Sequence, residues 1–217
     1  MSYDSSLSFI YMNTTRVVFG PGSSRDVREE VRALGCARAV VVTDSVLATR
    51  TDVPARIEKT LGESCAGVFS DVVPDSGVHI VDAGAAFARE RGADCIVSVG
   101  GGSAIDTAKG IAIVLKEGGS LRDYEGFQVL RRPQTPHVAI PTTAGTGSEV
   151  TYVAVIKDHE AHQKLLFGDY NIIPGRFAWS GGFSYETNGV QKGYAQLDFQ
   201  PFQRVGLHIG GYALFAH

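Results

Sequence analysis

Three consecutive glycines, Gly100–Gly102, separate a short apolar run from a helical pattern. The run Ile96–Val99 is typical of a strand that is buried on both faces. Apolar residues then recur on one helical face: Ala104, Ile105, Ala108, Ile111, Ala112 and Leu115. The first N–H groups of a helix lack intrahelical partners and carry partial positive charge, and bare glycines let an anion approach them. The spacing therefore predicts a phosphate site, with a diphosphate as its natural ligand.

A purely structural role for the same residues stays open. Ser103 and Asp106 have the spacing of a capping box, in which both side chains complete the helix end. Glycines at a strand-to-helix turn are also common without a ligand. The arrangement differs from the G-x-G-x-x-G dinucleotide fingerprint, so that motif is not assigned. Asp106 and Lys109 have the spacing of an exposed helical ion pair.

Composition excludes several classes of partner. The chain has 217 residues, 44% of them hydrophobic, and a formal net charge of −3. Without a basic surface we expect no nucleic acid partner, and no apolar run approaches the roughly 20 residues of a membrane helix. Three scattered cysteines, Cys36, Cys65 and Cys95, are typical of thiols in a reducing compartment. With no secretory signal in residues 1–10, we expect a cytoplasmic protein without membrane association.

Strand and helix patterns alternate along most of the chain. We predict strands over residues 16–19, 39–43, 66–69, 96–99, 138–140, 150–156 and 164–167, and helices over residues 24–34, 53–61, 78–91 and 104–117. Residues 121–136 are predicted as a long polar connection. This alternation predicts an α/β fold: a Rossmann-like parallel sheet with helices on both faces.

Three polar loops directly follow predicted strands. They contain Asp44, the residues 100–103 and the pair Thr142–Thr143. In parallel sheets, ligands bind beyond the carboxyl ends of the strands, where the strand order reverses. The three loops are therefore expected to meet at one edge of the sheet and to bind a nucleotide.

Two long motifs carry a family resemblance. The first is the glycine motif extended to Lys109, and the second is Pro-Thr-Thr-Ala-Gly-Thr-Gly-Ser-Glu-Val-Thr over residues 141–151. With shorter matches at residues 19–22, 42–44, 72–75 and 124–126, the sequence resembles the iron-containing (group III, metal-dependent) alcohol dehydrogenase family. The resemblance runs from about Arg16 to Pro174, in the order and spacing of that family.

The resemblance implies a two-domain enzyme. In the family, an N-terminal α/β domain binds NAD(P), a C-terminal helical domain holds a divalent metal, iron or zinc, and the active site lies between them. The implied reaction is hydride transfer between NAD(H) and a small alcohol or aldehyde. A homo-oligomer is expected as well.

The resemblance also implies roles for individual residues. Asp44 is placed beside the adenosine ribose, where a carboxylate accepts from the 2′-OH and disfavours a 2′-phosphate, so NAD is expected rather than NADP. Without the family resemblance, a turn or helix cap explains Asp44 equally well. Gly101, Gly102 and Ser103 are expected to bind the diphosphate.

Five further positions are expected near the cofactor. Thr142 and Thr143 match positions that contact the adenine and phosphate side, although their hydroxyls could instead bond their own backbone. Thr151 and Lys164 match positions close to the cofactor, with a solvated surface lysine as the alternative for Lys164. Asp75 stands where the family often has Asn, and a plain loop residue is its alternative.

The sequence departs from the family after Pro174. Residues 175–217 alternate aromatic and polar residues, and Asn188-Gly189 is a strong hairpin signal. We predict a dinucleotide-binding domain over residues 1–174 and a short C-terminal β-rich segment, a β-hairpin-rich tail over residues 175–217, in place of the helical metal domain. No catalytic residue and no metal ligand is assigned, because the histidines do not reproduce the family's set of one Asp and three His: they are His79, His137, His159, His162, His208 and His217.

Three functions are compatible with the sequence. The first is an NAD-dependent alcohol dehydrogenase. The second is a catalytically incomplete NAD-binding module or fusion, with weak or no turnover as a single chain. The third is an interaction protein whose tail docks on a partner or self-associates. The first two functions differ in whether the chain needs the family's metal domain, which the tail does not match. Deletion of the tail tests the third function.

Overall fold

A six-stranded parallel sheet forms the centre of the structure, a computed structural model that describes residues 15–179 and four two-residue strands further on. The strands and α-helices are β1 (Arg16–Phe19), α1 (Val27–Ala33), β2 (Ala39–Asp44), α2 (Ser45–Arg50), α3 (Val53–Leu61), β3 (Cys65–Val72), α4 (Val78–Glu90), β4 (Cys95–Gly100), α5 (Gly102–Glu117), β5 (Gly126–Phe127), β6 (His137–Pro141), β7 (Val153–Asp158), β8 (Gln163–Gly168), β9 (Arg176–Trp179), β10 (Ser184–Tyr185), β11 (Gln191–Lys192), β12 (His208–Ile209) and β13 (Tyr212–Ala213).

The strand order in the sheet is β1-β9-β6-β4-β2-β3, and every neighbouring pair is parallel. The predicted α/β fold with a Rossmann-like parallel sheet is therefore confirmed. Strand β9 lies between β1 and β6, so the sheet includes residues beyond Pro174, where the predicted domain ends. The pairs β10–β11 and β12–β13 are antiparallel. The rest of the predicted tail, including Asn188-Gly189, lies outside the described residues.

Helices cover both faces of the sheet because its central strands are apolar on both sides. In β2, Val40 and Val42 pack towards α4 and α5, whereas Val41 packs towards α1 and α3. All six residues of β4 are buried, as expected for a strand covered on both faces. Two clusters of buried side chains, one on each face, thus form the core.

The crossovers change direction between β2 and β4. From β2 the chain passes through α3, on one face, to β3, whereas from β4 it passes through α5, on the opposite face, to β6. The helices that follow these adjacent strands therefore diverge, which opens a crevice at the carboxyl ends of β2 and β4. Such a crevice is where open α/β sheets bind ligands.

Several predicted elements differ from the structure. The predicted helix over residues 24–34 divides into a 3-10 turn, Ser23–Asp26, and α1. The strand predicted from Val150 begins at Val153, because Ser148–Val150 forms another 3-10 turn. The polar connection over residues 121–136 contains β5, which joins β8 and β7 in a small mixed sheet.

Within the part of the chain that the structure describes, every helix is too short or too polar to cross a membrane.

Candidate functional site

A cleft of about 460 Å³ lies at the crevice between β2 and β4. The structure brings together in this cleft the three loops that were expected to meet. The residues that line it are Asp44, Ser45, Val46, Leu47, Val72, Val73, Pro74, Gly101, Gly102, Ser103, Ala104, Thr142 and Thr143. Six of the nine predicted site residues therefore share one cleft, whereas Asp75, Thr151 and Lys164 do not line it.

The glycine turn, Gly100–Gly102, leaves no room for side chains. Gly100 has a φ of +155°, and a Cβ there would lie 2.6 Å from the Cβ of Ala104. A Cβ on Gly101 would lie 2.9 Å from Thr143 Oγ1, and one on Gly102 would lie 2.8 Å from Thr146 Cγ2. The turn and the threonine loop, residues 142–151, are therefore in close contact.

Helix α5 begins without a side-chain cap. Gly101 is its N-cap residue, and no side chain bonds the first-turn amides. The capping-box alternative for Ser103 and Asp106 is therefore wrong, because Ser103 lies within the helix and Asp106 binds elsewhere. The first amides of this 16-residue helix lie beside the cleft and are available to an anion.

Asp44 is a helix cap that also lines the cleft. It is the N-cap of α2, and its Oδ1 accepts a hydrogen bond of 2.8 Å from the N–H of Leu47. Its Oδ2 points towards the glycine turn, 3.3 Å from where a Cβ on Gly100 would lie. The helix cap thus fixes the carboxylate at the wall of the cleft.

Asp75 and Lys164 bind each other rather than the cleft. Lys164 Nζ lies 3.6 Å from Asp75 Oδ1, and both side chains are about 60% exposed. Asp75 has a φ of +53°, and its carbonyl oxygen accepts a hydrogen bond of 3.2 Å from His159 Nε2. This pair is consistent with the alternatives of a loop residue and a solvated lysine, and a cofactor contact of either residue stays a prediction.

Lys109 is the residue whose role the sequence analysis missed. An exposed ion pair with Asp106 was one interpretation of its spacing. The two residues do pair, with Lys109 Nζ 3.9 Å from Asp106 Oδ1, but the Lys109 side chain is completely buried, so the exposed interpretation is wrong. Burial lowers the pKa of Lys109 to about 8, although the carboxylates of Asp106 and Glu149 act in the opposite direction. The available signal was its spacing, four residues from both Ile105 and Ile113, which places it on a buried helical face.

The described residues offer no metal centre. Among residues 15–179 and the short strands that follow, no group of three or more His, Cys, Asp or Glu could hold a metal ion. His79 and His159 lie with ring centroids 5.9 Å apart. His137 is buried beside Ser98, and burial lowers its pKa to about 3. His162 is exposed at a turn, and His217 lies outside the described residues.

Comparison with known proteins points to one enzyme family. The family profile described as iron-containing alcohol dehydrogenase matches residues 14–177. The NAD-dependent methanol dehydrogenase of Bacillus methanolicus is 36% identical over 159 residues, which cover 72% of this chain and 42% of that protein.

The solved structures that resemble this chain include an alcohol dehydrogenase and an aldehyde reductase. An alcohol dehydrogenase from Oenococcus oeni superposes with a TM-score of 0.74 at 32% identity, over 79% of this chain and 46% of that one. Sulfoacetaldehyde reductase from Bifidobacterium kashiwanohense, solved in complex with NAD+, gives a TM-score of 0.72 at 28% identity, over 80% of this chain and 46% of that one. The chain thus spans less than half the length of these relatives.

Proposed function

Because the chain belongs to the iron-containing alcohol dehydrogenase family, we propose that its cleft binds NAD as the cofactor of an alcohol dehydrogenase. The observation that carries this proposal is the glycine turn, whose side-chain-free amides line the cleft together with the threonine loop and Asp44. A diphosphate fits this combination, because the uncapped start of α5 supplies N–H donors and partial positive charge.

Each wall of the cleft has a proposed contact. The amides of Gly101, Gly102 and Ser103 bind the diphosphate, and the hydroxyls of Thr142 and Thr143 donate to it from the opposite side. The carboxylate of Asp44 accepts from the adenosine ribose, which favours NAD over NADP. Thr151, the last residue of the threonine loop, accepts a hydrogen bond from Lys109 and does not line the cleft. Contacts of Thr151, Asp75 and Lys164 with the cofactor remain predictions that their placement does not support.

The proposed reaction is the interconversion of a small alcohol and its aldehyde. Bound NAD supplies the hydride acceptor for the oxidation. The residues of the chain bind and orient the cofactor, and none of them is assigned a proton transfer. The described residues do not fit the divalent metal that the family implies.

Two measurements test the proposal. NAD at one hundred times its dissociation constant is expected to raise the free energy of unfolding by about 2.7 kcal/mol, because it binds only the folded chain. Unchanged thermal stability at millimolar NAD would contradict NAD binding. The second measurement is NADH formation from ethanol or propanediol, with and without added Fe²⁺ or Zn²⁺. NAD binding without NADH formation would favour the NAD-binding module over the complete enzyme.

We also propose that the chain acts in the cytoplasm and as a homo-oligomer. The three cysteines are free thiols, which supports a reducing compartment. Val17 and Phe19 of the edge strand β1 are 48% and 41% exposed, which supports association through this edge. Light scattering of the purified chain and of the variant Val17→Lys tests the oligomer, because a charge at the edge should shift a dimer towards monomer. A monomeric wild-type chain would contradict it.

A further inference from the structure

A buried lysine of helix α5 directs all of its hydrogen bonds to the segment at the end of the threonine loop. Lys109 Nζ donates to Ser148 Oγ at 3.1 Å, to Thr151 Oγ1 at 3.3 Å and to the carbonyl oxygen of Val153 at 2.7 Å. An ammonium group has three N–H donors. Each donor is therefore matched by one acceptor from residues 148–153.

Asp106, one helical turn earlier, binds Ser148 of this segment and Val155 of strand β7. Its Oδ1 accepts a hydrogen bond from Ser148 Oγ, and its Oδ2 accepts one of 3.0 Å from the N–H of Val155. Lys109 Nζ lies 3.9 Å from Asp106 Oδ1, so the two charges offset each other away from water. Ser148 accepts from Lys109 and donates to Asp106, which joins the three side chains in one chain of hydrogen bonds.

This network continues to the glycine turn. The N–H of Ser148 donates to Thr146 Oγ1 at 3.3 Å. Thr146 Cγ2 in turn lies 2.8 Å from where a Cβ on Gly102 would stand, and Thr143 occupies the equivalent position over Gly101. The buried pair therefore holds one end of the threonine loop, and the loop rests on the turn beside the cleft.

We propose that Lys109 is a positioning residue that, through Ser148 and Asp106, holds the threonine loop against the glycine turn. This inference rests on the proposed binding of NAD, because it states how the two walls of the diphosphate site keep their spacing. Lys109 itself does not line the cleft. A hydrogen-bonded charge fixes a position more sharply than an apolar contact does, since each donor must meet its acceptor at one distance and angle.

The test compares Lys109→Met, Ser148→Ala and the double variant with the wild-type chain. Lys116→Met is the matched control, because Lys116 is an exposed lysine on the same helix. The first readout is amide hydrogen exchange of the NAD-free protein. We expect exchange of residues 142–151 to become at least about tenfold faster in Lys109→Met, while the amides of β2 and β4 keep their wild-type rates.

The second readout is the dissociation constant of NAD, measured by calorimetry well below the unfolding temperature. We expect about tenfold weaker binding in Lys109→Met and no further loss in the double variant, because both residues act as one unit. Lys109→Arg is expected to weaken binding as well, because a larger planar guanidinium cannot place its donors on the three acceptors that surround the buried ammonium. General destabilisation would not give the coupling between Lys109 and Ser148.

Three outcomes would overturn the proposal. Wild-type exchange rates across residues 142–151 in both single variants would show that Lys109 does not hold the loop. Faster loop exchange with unchanged NAD affinity would show that the loop position does not matter for binding. Failure of the wild-type chain to bind NAD would overturn the proposed function and with it any role of Lys109 in NAD binding, whereas hydrogen exchange of the NAD-free protein would decide separately whether Lys109 holds the loop. Should Lys109→Met not fold, Ser148→Ala, which removes a single hydroxyl group, gives the same readouts.

Discussion

Gly101 and Thr143 face each other so closely that a methyl group on Gly101 would lie 2.9 Å from the hydroxyl oxygen of Thr143. The two residues belong to different loops, one after β4 and the other after β6, and both line the same cleft. This contact makes the absence of a side chain at residue 101 a requirement of the site. It also brings a hydroxyl group beside the first amides of α5, which is the arrangement that a diphosphate needs.

Replacement of Gly101 by valine is expected to abolish NAD binding. The new side chain fills the space between the turn and Thr143, and it covers the amides proposed to bind the diphosphate. Calorimetric titration should show the dissociation constant of NAD weakened by about a hundredfold or more, which corresponds to about 2.7 kcal/mol.

The control for this variant is Gly118→Ala, at the other end of α5. Gly118 has a φ of +86° with a ψ of −165° and open space around its Cβ position, so alanine there should cost about 1–3 kcal/mol of folding free energy by backbone strain alone. NAD affinity should stay at the wild-type value in this control. Equal NAD affinity in Gly101→Val and the wild type would place the diphosphate elsewhere.

Replacement of Asp44 by asparagine is expected to relax the preference for NAD over NADP. The amide oxygen of asparagine can still accept the hydrogen bond from Leu47 N–H, so α2 keeps its cap and stability changes little. Loss of the negative charge removes the repulsion of a 2′-phosphate, and the ratio of the two dissociation constants should shift towards NADP by about tenfold.

Asp52→Asn is the matched control for this substitution. Asp52 is the N-cap position of α3 and forms an exposed ion pair with Arg56 at 3.2 Å, away from the cleft. The affinities of Asp52→Asn for NAD and NADP should equal those of the wild type. An unchanged ratio in Asp44→Asn would show that this carboxylate does not lie beside the ribose.

The burial of Lys109 should be visible in the pH dependence of stability. Its folded pKa of about 8 lies below the ordinary value of 10.5, so the unfolded chain binds more protons between these pH values. The cost of burying the charge is fully present below pH 8 and is relieved as pH rises towards 10.5. The contribution of Lys109 to the free energy of unfolding should therefore increase with pH, by up to about 1.4 kcal/mol per unit.

Denaturant unfolding of the wild type and Lys109→Met between pH 7.5 and about 10.5 measures this contribution as the difference between two curves. Other groups that titrate in this range are common to both proteins and cancel. If the free energies of unfolding of the two proteins change in parallel with pH, Lys109 is not buried in its protonated form.

His137 should make folding sensitive to acid. Burial lowers its folded pKa to about 3, whereas the unfolded imidazole has its ordinary value of 6.5. Between these values the unfolded chain binds the extra proton, so stability falls as pH decreases from 6.5 towards 3, by up to about 1.4 kcal/mol per unit. His137→Gln, which can keep a bond to Ser98, should have a shallower loss than the wild type over this range. An equal change of unfolding free energy with pH in both proteins would show that His137 does not cause the acid sensitivity.

Local sequence was sufficient to predict the central strands and helices. The β-branched run Val40–Val42 predicted a buried strand, and the helix predicted over residues 53–61, where proline at residue 54 is tolerated in the first turn, has the bounds of α3. Helix α2 was not predicted, because none of its six residues is buried and it has no apolar face. Strand β5 has two residues, and its pairing depends on β8, about forty residues further along the chain.

Local sequence likewise predicted only part of the candidate site. The glycine turn, Asp44 and the paired threonines each directly follow a strand, so the general rule for parallel sheets placed them together. Lys109 could not be assigned in this way, because its three acceptors lie 39 to 44 residues later in the chain. The i, i+3 spacing of Asp106 and Lys109 is the same for an exposed pair and for a buried one. The spacing of Lys109 from Ile105 and Ile113 indicates a buried face, but only the tertiary contacts identify its acceptors.

The most direct test is an NMR titration of the 15N-labelled chain, following the backbone amides of Gly101, Gly102 and Ser103. These three amides are predicted to shift on addition of NAD, and to shift in the same direction on addition of pyrophosphate alone. Shifts at saturating NAD confined to other regions, with these amides unmoved, would contradict the diphosphate site and the cofactor assignment that rests on it.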